Sequence, residues 1–346
     1  MVARTASRIY EVATAAGVSI ATVSRVVNGR PVVAEPTRQR VRAAMQRLGY
    51  RPHALARGLA ARRSHTIGLV ITDILDPYFA DIIRGAQEQA ESAGYAILLG
   101  DTSVHQPRED VLVRRLLERR VDSLIVASSR TSRAYAALVT GEGIPVVCIN
   151  GQREFFPHSV QTDNRAGAKL AIEHLVRLGH RRIAHVTGPP GVPTRQERVA
   201  GYRLALAEAG LRYDPDLIVS GNGHLIESRD AARGLFSLAD APTAIFAYND
   251  RAAVGCYQAC RELGLRVGAD VSVVGFDDIV MASWVDPPLT TVSQPRREMG
   301  QIAVNLVLGM LRGESAPTHV VVLPQLVERE STAPPVAAWS ATQVAR

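Results

Sequence analysis

The sequence of 346 residues predicts two structural classes in one chain: an N-terminal all-α headpiece built on a helix-turn-helix, then a two-lobed α/β core with parallel sheets. Three observations predict this architecture. Two short amphipathic helical patterns joined by a glycine lie within residues 9–28. From residue 66 onward, apolar runs alternate with amphipathic runs in two successive sets. Arginines are concentrated in the first 65 residues.

The first helix is predicted over residues 9–16, where Ile9, Val12, Ala13 and Ala16 form one apolar face. Gly17 then ends the run, because glycine accepts the positive φ of a helix terminus.

The second helix follows at once, with Ser19 as its N-cap and Val23, Val26 and Val27 as its buried stripe. Small or polar side chains and one arginine remain on the outward face: Ala21, Thr22, Ser24 and Arg25. Two short helices with a tight glycine turn are typical of a helix-turn-helix, whose second helix enters the DNA major groove. The alternative is an ordinary helical hairpin inside a helical core.

A third helix is predicted over residues 37–48, and Gly49 ends it. Residues 54–61 have helical character but are too short to form a stable helix alone, which indicates a linker that folds against a partner. We therefore place a headpiece at 1–51 and a linker at 52–65.

The charge distribution supports a polyanionic partner for the headpiece. Residues 1–65 contain twelve arginines against Glu11 and Glu35, a net charge of +10, and the remaining residues carry −3 of the total of +7. A basic segment that coincides with a helix-turn-helix favours nucleic-acid binding. The alternative is a solvated basic face.

The core is predicted over residues 66–331, because apolar strands alternating with amphipathic helices form parallel sheets covered on both faces. Its helices are predicted at 78–93, 109–120, 133–140, 165–178, 195–209, 227–238 and 251–263. Ligands of such folds bind beyond the carboxyl ends of the strands, where Asp101, Asn150, Asn249, Asp250, Asp277 and Asp278 lie. Residues 332–346 lack periodicity, and we expect them to be disordered.

Several classes of protein are disfavoured. No apolar run approaches the length of a bilayer span, and the N-terminus has no secretory h-region, so we expect a cytoplasmic protein without a membrane partner. There is no P-loop, because Lys169, which follows an alanine, is the only lysine, and no H-E-x-x-H or G-x-S-x-G occurs. We therefore expect no enzyme activity and no cofactor. Cys256 and Cys260 are expected to be buried core residues rather than metal ligands.

The chain resembles the LacI/GalR family of bacterial transcriptional regulators over residues 8–330. The likeness begins with IYEVATAAGVSIATVSRVVNG and EPTRQRVRAAMQRLGYRPHALARGL in the headpiece. It continues with DPYFADIIRGAQ, TDNRAGAKLAIEHLVRLGHRRIAHVTGP, RVAGYRLAL, YNDRAAVG and SVVGFDDIVMASWVDPPLTTVSQPRREMGQIA in the core. The resemblance implies a homodimer with a hinge helix after each headpiece and a core like that of periplasmic sugar-binding proteins. It also implies a palindromic double-stranded operator and a small-molecule effector, expected to be a sugar, between the lobes.

The resemblance also assigns DNA contacts. Ile20 and Ala21 are expected to contact base edges through van der Waals contact, and Arg25 to pair with a guanine. Leu59 of the hinge helix is expected to wedge into the minor groove at a central C-G step. The remaining expected DNA contacts are Tyr10, Ser19, Thr22, Ser24, Asn28 and Arg57. The alternatives are that Thr22 and Ser24 are simply solvated and that Leu59 docks on the core.

In the core, the resemblance places Arg198, Asn249 and Asp277 at effector-contacting positions and Asp163 at a further polar one. An arginine and a carboxylate together suit vicinal hydroxyls. The remaining expected effector contacts are the aromatic residues Tyr78 and Phe79. The alternative for Asp163 and Asp250 is helix capping.

Two competing functions remain open at this point. One is a sugar-binding receptor with no role at DNA, which the basic headpiece disfavours. The other is a corepressor-dependent regulator that responds to a non-sugar metabolite. Gly221-Asn222-Gly223 lacks the aromatic residue that several relatives place there, which disfavours a planar base as effector.

Overall fold

The computed structural model describes residues 9–27, 32–50, 63–102, 106–127, 137, 141, 143–151 and 154–336. The chain divides into a small unit that contains the headpiece and a large unit that contains the core. In the large unit, each of two lobes is built on a six-stranded sheet.

The headpiece contains three helices in its described part, as predicted: α1 (Ile9–Ala16), α2 (Ile20–Val27) and α3 (Glu35–Leu48). Val12, Val23 and Val41 contribute one fully buried side chain from each helix. Gly17 has φ +63° and allows the tight turn between α1 and α2.

The first lobe consists mainly of residues 66–162. Its elements up to that point are β1 (Thr66–Ile71), α4 (Tyr78–Ser92), β2 (Ala96–Asp101), α5 (Gln106–Glu118), β3 (Ser123–Ala127), β4 (Val146–Ile149) and β5 (Ser159–Thr162). The pairs β1–β3, β3–β4 and β4–β5 are parallel, as predicted. The helix predicted at 133–140 falls almost entirely outside the described residues.

The second lobe begins directly after β5. Its elements are α6 (Asn164–Arg177), β6 (Ile183–Thr187), α7 (Pro193–Glu208), β7 (Ile218–Ser220), α8 (Leu225–Phe236), β8 (Ala244–Ala247), α9 (Asp250–Glu262), β9 (Ser272–Asp277) and β10 (Thr290–Ser293). Apolar clusters cover the two faces of this sheet. Cys256 and Cys260 are fully buried in one of these clusters, as expected for core residues.

The chain does not complete the first lobe before it begins the second, although the sequence predicts two successive sets of strands and helices. Three elements complete the fold: α10 (Arg296–Leu311), β11 (His319–Val322) and β12 (Gln325–Val327). Helix α10 and strand β11 return to the first lobe, where β11 pairs with β5. Strand β12 pairs with β10 in the second lobe. The chain therefore crosses between the lobes three times, and the prediction of consecutive lobes is wrong in this respect, because strand pairing joins segments that are distant in sequence.

The segment after residue 331 begins as ordered structure. Ser331 is fully buried, and its hydroxyl donates to the carbonyl of Val273. Thr332 contacts His174, and the Ala333 amide donates to the hydroxyl of Ser272. The expectation of disorder from residue 332 is therefore wrong for Thr332 and Ala333, because their polar groups are bonded to the second lobe. Residues 337–346 lie outside the described part.

Candidate DNA-binding and effector-binding sites

The outward face of α2 presents the side chains that the sequence assigns to DNA. Ile20, Ala21 and Arg25 are exposed, and half of the Ile20 side chain is accessible although it is a large apolar residue. Thr22 and Ser24 are half-buried at the edges of this face. The helix therefore offers apolar contacts and one guanidinium, which suit the edges of bases in a major groove.

The start of α2 is fixed by Ser19, as predicted. Its Oγ accepts a hydrogen bond from the backbone N–H of Thr22 at 3.2 Å and lies 3.0 Å from the Thr22 hydroxyl. Tyr10 on α1 is also exposed. Asn28, Arg57 and Leu59 lie outside the described residues, so their assigned roles stay predictions.

In the core, polar side chains from both lobes meet beyond the carboxyl ends of the strands. Asn150 follows β4, Thr162 ends β5, and Asp277 ends β9. A buried chain of hydrogen bonds joins these residues. It runs from the first crossing between the lobes, which connects β5 to α6, to the second, which connects β10 to α10. Thr162 Oγ1 donates to Gln294 Oε1 at 2.6 Å, and Gln294 Nε2 donates to Asp277 Oδ1 at 2.6 Å. Polar side chains of both lobes therefore meet at the strand ends where such folds bind ligands, and this region is the candidate effector crevice.

Arg198 and Asp277 form the charged centre of this crevice. Arg198 is 4% exposed, and its guanidinium carbon lies 3.6 Å from the centroid of the Phe276 ring. Arg198 Nε donates to Asn164 Oδ1 at 3.0 Å, and Nη1 donates to the carbonyl of Tyr248. Arg198 Nη2 lies 3.9 Å from Asp277 Oδ1, which leaves this nitrogen available to a ligand.

The backbone and the electrostatics of Asp277 are both unusual. Its φ is +118° and that of Asp278 is +57°, which is a strained conformation for two successive residues other than glycine. Burial raises the pKa of Asp277 to about 7, against the opposing effect of the Arg198 and Arg296 guanidinium groups. Strain and a shifted pKa at one carboxylate in a crevice are typical of a binding site.

Tyr78 and Phe79 contribute an aromatic wall from the first lobe. Their rings are 5.2 Å apart in an edge-to-face arrangement, and the side chains are only 8% and 3% exposed. Asn150 Nδ2 donates to the Tyr78 hydroxyl at 2.7 Å. Burial raises the pKa of Tyr78 above its usual range, so the hydroxyl stays protonated.

The capping alternative holds for Asp163 and fails for Asp250. Asp163 Oδ1 accepts from the N–H of Ala166 at 2.8 Å and caps α6. The cap of α9 is instead Asn249, whose Oδ1 accepts from Ala252 N. Asp250 is fully buried inside the first turn of α9, where it accepts from the backbone N–H of Ile279 and from the Thr291 hydroxyl. Asn249 also donates to the Gly223 carbonyl, so both ends of its amide already bond to protein.

Ion pairs also join the two lobes, and sequence reasoning missed them. Arg251 Nη1 lies 3.0 Å from Asp76 Oδ2, and Asp76 Oδ1 accepts from the N–H of Tyr78. Arg296 Nη2 donates to Asp81 Oδ2 in the first lobe and to the carbonyl of Asp278 in the second. No local pattern marks such pairs. Gln294, in contrast, directly follows strand β10 and fits the strand-end rule that singled out Asp277, although that strand, TTVS, contains only one apolar residue.

The described residues contain no group of three or more His, Cys, Asp or Glu side chains that could hold a metal ion. None of the helices in the described part is long and apolar enough to span a membrane.

Comparison with known proteins identifies the class of protein that this fold and crevice define. Residues 8–53 match the model for bacterial regulatory proteins of the lacI family, and residues 172–332 match a periplasmic binding protein-like domain. The chain is 35% identical over 331 residues to the HTH-type transcriptional regulator DegA of Bacillus subtilis, covering 94% of this chain and 98% of that protein.

Two solved structures are similar to most of this chain. A lac repressor dimer bound to operator and the anti-inducer ONPF has a TM-score of 0.86 and 30% identity, covering 95% of this chain and all of that one. A complex of the transcriptional regulator CelR with cellobiose has a TM-score of 0.73 and 32% identity, covering 94% and 99%.

The chain therefore belongs to the LacI family of DNA-binding transcriptional regulators, which confirms the resemblance and the fold class. These relatives are regulators and not enzymes, which confirms that prediction also. The headpiece match disfavours the receptor alternative.

Proposed function

We propose that the protein represses transcription in the cytoplasm as a homodimer that binds a palindromic operator and is controlled by a sugar or sugar derivative between its lobes. The observation that carries the DNA-binding part is the exposed face of α2, where Ile20, Ala21 and Arg25 project from a helix capped by Ser19. Ile20 and Ala21 contact thymine methyl groups, and Arg25 pairs with a guanine. Tyr10, Ser19, Thr22, Ser24 and Asn28 contact phosphates, and Arg57 and Leu59 act from the hinge.

Exposed apolar side chains of the core support the homodimer. Leu75 and Trp284 are 84% and 73% exposed, although large apolar residues usually avoid water. Burial against a second copy of the chain accounts for both, and the lac repressor relative is a dimer on its operator. We expect the substitution Trp284→Glu to shift the protein from dimer toward monomer in sedimentation velocity experiments. A dimer of unchanged stability would contradict this assignment.

The Arg198–Asp277 pair supports a hydroxylated effector. A guanidinium that retains an available nitrogen, beside a carboxylate, can bind two neighbouring hydroxyl groups. Tyr78 and Phe79 complete the proposed site. Asp163 and Asn249 add side-chain oxygens that can accept from a ligand hydroxyl in addition to their capping hydrogen bonds. The CelR relative binds a sugar, cellobiose, which supports this class of ligand.

The decisive experiment is selection of bound duplexes from fragmented genomic DNA by the purified full-length protein without added ligand. We expect enrichment of one palindrome with a central C-G step, and an affinity that falls steeply with salt because phosphate contacts release counterions. The variant Arg25→Ala should relax the sequence preference at one base pair of each half-site. Absence of any enriched sequence, with or without sugar and nucleotide pools, would refute DNA binding.

A corepressor-dependent regulator that responds to a non-sugar metabolite is the second candidate. The lac repressor relative holds operator and a small molecule together, so a ligand-bound core is compatible with DNA binding in this family. The same selection separates the two candidates. Binding that appears only after a metabolite pool is added identifies a corepressor, and release by a sugar identifies an inducer.

A further inference from the structure

Arg296 is a buried cation at the second crossing between the lobes. It is the first residue of α10 and is 6% exposed. Its Nη2 donates to Asp81 Oδ2 at 2.7 Å and to the carbonyl of Asp278 at 3.0 Å. Nη2 of Arg296 therefore bonds to both lobes, whereas Nε and Nη1 take no part in these contacts.

These two nitrogens, Nε and Nη1, are buried and have no hydrogen-bond partner among the described residues. Together they carry three N–H groups. A buried donor without an acceptor loses its hydration without replacement, so most buried polar atoms in folded proteins have a partner. A guanidinium with three such N–H groups can therefore donate hydrogen bonds to a ligand.

Arg296 lies beside the effector crevice, because its Nη2 donates to the carbonyl of Asp278, the residue that follows Asp277. Arg296 acts electrostatically on both Asp277 and Tyr78, as Arg198 does. Two guanidinium groups thus converge on one carboxylate. The other acids near Arg296 balance its charge less well. The Asp81 side chain is 46% exposed to solvent, and the Asp278 carboxylate pairs with Arg329 at 2.7 Å.

We propose that Arg296 forms a subsite for an anionic oxygen group, a phosphate or a carboxylate, so that the effector is an acidic sugar derivative and not a neutral sugar. This inference rests on the proposed function, because it names the chemistry of the effector in the same crevice. Guanidinium groups bind phosphate and carboxylate oxygens by charge-assisted hydrogen bonds. An anion satisfies the free N–H groups and also balances the charge.

The charge of the crevice favours the same ligand. Because burial raises the pKa of Asp277 to about 7, this carboxylate only partly balances Arg198 and Arg296 near neutral pH. A hydroxyl of a neutral sugar accepts a hydrogen bond but leaves the excess positive charge buried. An acidic group removes it.

The test is calorimetric titration of the full-length protein. Inorganic phosphate and acetate are the minimal probes, and glucose, glucose 6-phosphate and glucuronate form a matched set of pyranoses that differ in the acidic group. We expect the acidic probes to bind more tightly than glucose. Preference for phosphate and glucose 6-phosphate indicates a phosphate ester, and preference for acetate and glucuronate indicates a sugar acid.

Two neighbouring arginines provide the matched variants. Arg296→Gln should weaken binding of the acidic probes about 10- to 100-fold, the scale of hydrogen bonds to a charged group. Arg297→Gln should change it less than about twofold, because the Arg297 side chain is 57% exposed and pairs with Glu88 outside the crevice. Arg296→Lys keeps the charge and should give an intermediate loss, which serves if Arg296→Gln does not fold.

Three results would overturn the proposal: no acidic probe binds to the unmodified protein, glucose binds as tightly as its acidic counterparts, or the Arg296 and Arg297 variants lose equal affinity. Operator binding is measured in parallel, with and without the probes and with the metabolite pools. Absence of operator binding under all of these conditions would refute the proposed function, whereas the role of Arg296 is tested by the affinities for the probes alone.

Discussion

The packing of α10 against α4 gives the sharpest test of the fold that carries the crevice. A Cβ atom added at Gly300 would lie 2.2 Å from the carbonyl oxygen of Ile82 and 2.8 Å from the amide nitrogen of Ala86. The reciprocal glycine, Gly85, faces the carbonyl of Arg297 at 2.0 Å in the same way. All of these close contacts are with backbone atoms, so a change of side-chain rotamer cannot relieve them. The substitution Gly300→Ala must therefore push the two helices apart.

The cost follows from this geometry. An ordinary contact needs about 3.5 Å, so the helix backbones must separate by roughly 1 Å, and overpacking of this kind costs about 1–3 kcal/mol. Alanine recovers about 1 kcal/mol through its higher helix propensity. Because the clash is severe, we take the upper end of the overpacking cost and subtract the gain in helix propensity, which gives a net loss of about 2 kcal/mol in the free energy of unfolding. Urea titration followed by far-UV circular dichroism measures it.

The control is the same substitution at Gly234 in α8. That glycine is exposed, has ordinary helical φ, and a Cβ there would meet nothing within 4 Å. Gly234→Ala should stabilise the protein by about 0.5–1 kcal/mol. If both variants change stability with the same sign, close approach of the helices is not what requires glycine at position 300.

Three further predictions test the headpiece and the crevice. Ser19→Ala should cost about 1 kcal/mol, because the N–H of Thr22 loses its acceptor; unchanged headpiece melting by circular dichroism would contradict the capping role. Because burial raises the pKa of Asp277 from 3.8 to about 7, the folded protein keeps a proton that the unfolded chain releases. Its stability should therefore fall as pH rises from 4 to 7, and Asp277→Asn should flatten this slope by up to about 1.4 kcal/mol per pH unit; an identical slope in the variant would argue against the shift. Arg251→Gln and Asp76→Asn should show a coupling of about 0.5–1 kcal/mol in a double-mutant cycle, and additive effects would mean that this pair does not hold the lobes together.

Local features of the molecule were predictable from the sequence, and non-local ones were not. The helices of the headpiece and the cap at Ser19 follow from spacing and residue type within one turn. Strand β5, with sequence SVQT, is fully buried although only one of its four residues is strongly apolar, so periodicity does not mark it. The predicted cap of α9, Asp250, is one residue too late, and Asn249 caps the helix instead. Sequence could not separate the two, because Asn and Asp are both favoured at an N-cap.

The site was predictable where one residue type at a strand end suffices, as for Asp277. The hydrogen bond between Thr162 and Gln294 was not predictable, because it joins two connections between the lobes that are distant in sequence.

Hydrogen bonds link the three crossings between the lobes to one another and to Asp277 in the crevice. Thr162 on the first crossing bonds to Gln294 on the second, and Gln294 bonds in turn to Asp277 in the crevice. The first crossing also bonds to the third, since the N–H of Asp163 donates to the carbonyl of Val322. The Asp277 carboxylate thus contacts both Arg198 in the crevice and Gln294 on the second crossing. A ligand that competes for the Asp277 oxygens would change the hydrogen bonding of Gln294, which lies on the second crossing between the lobes and also accepts from Thr162 on the first.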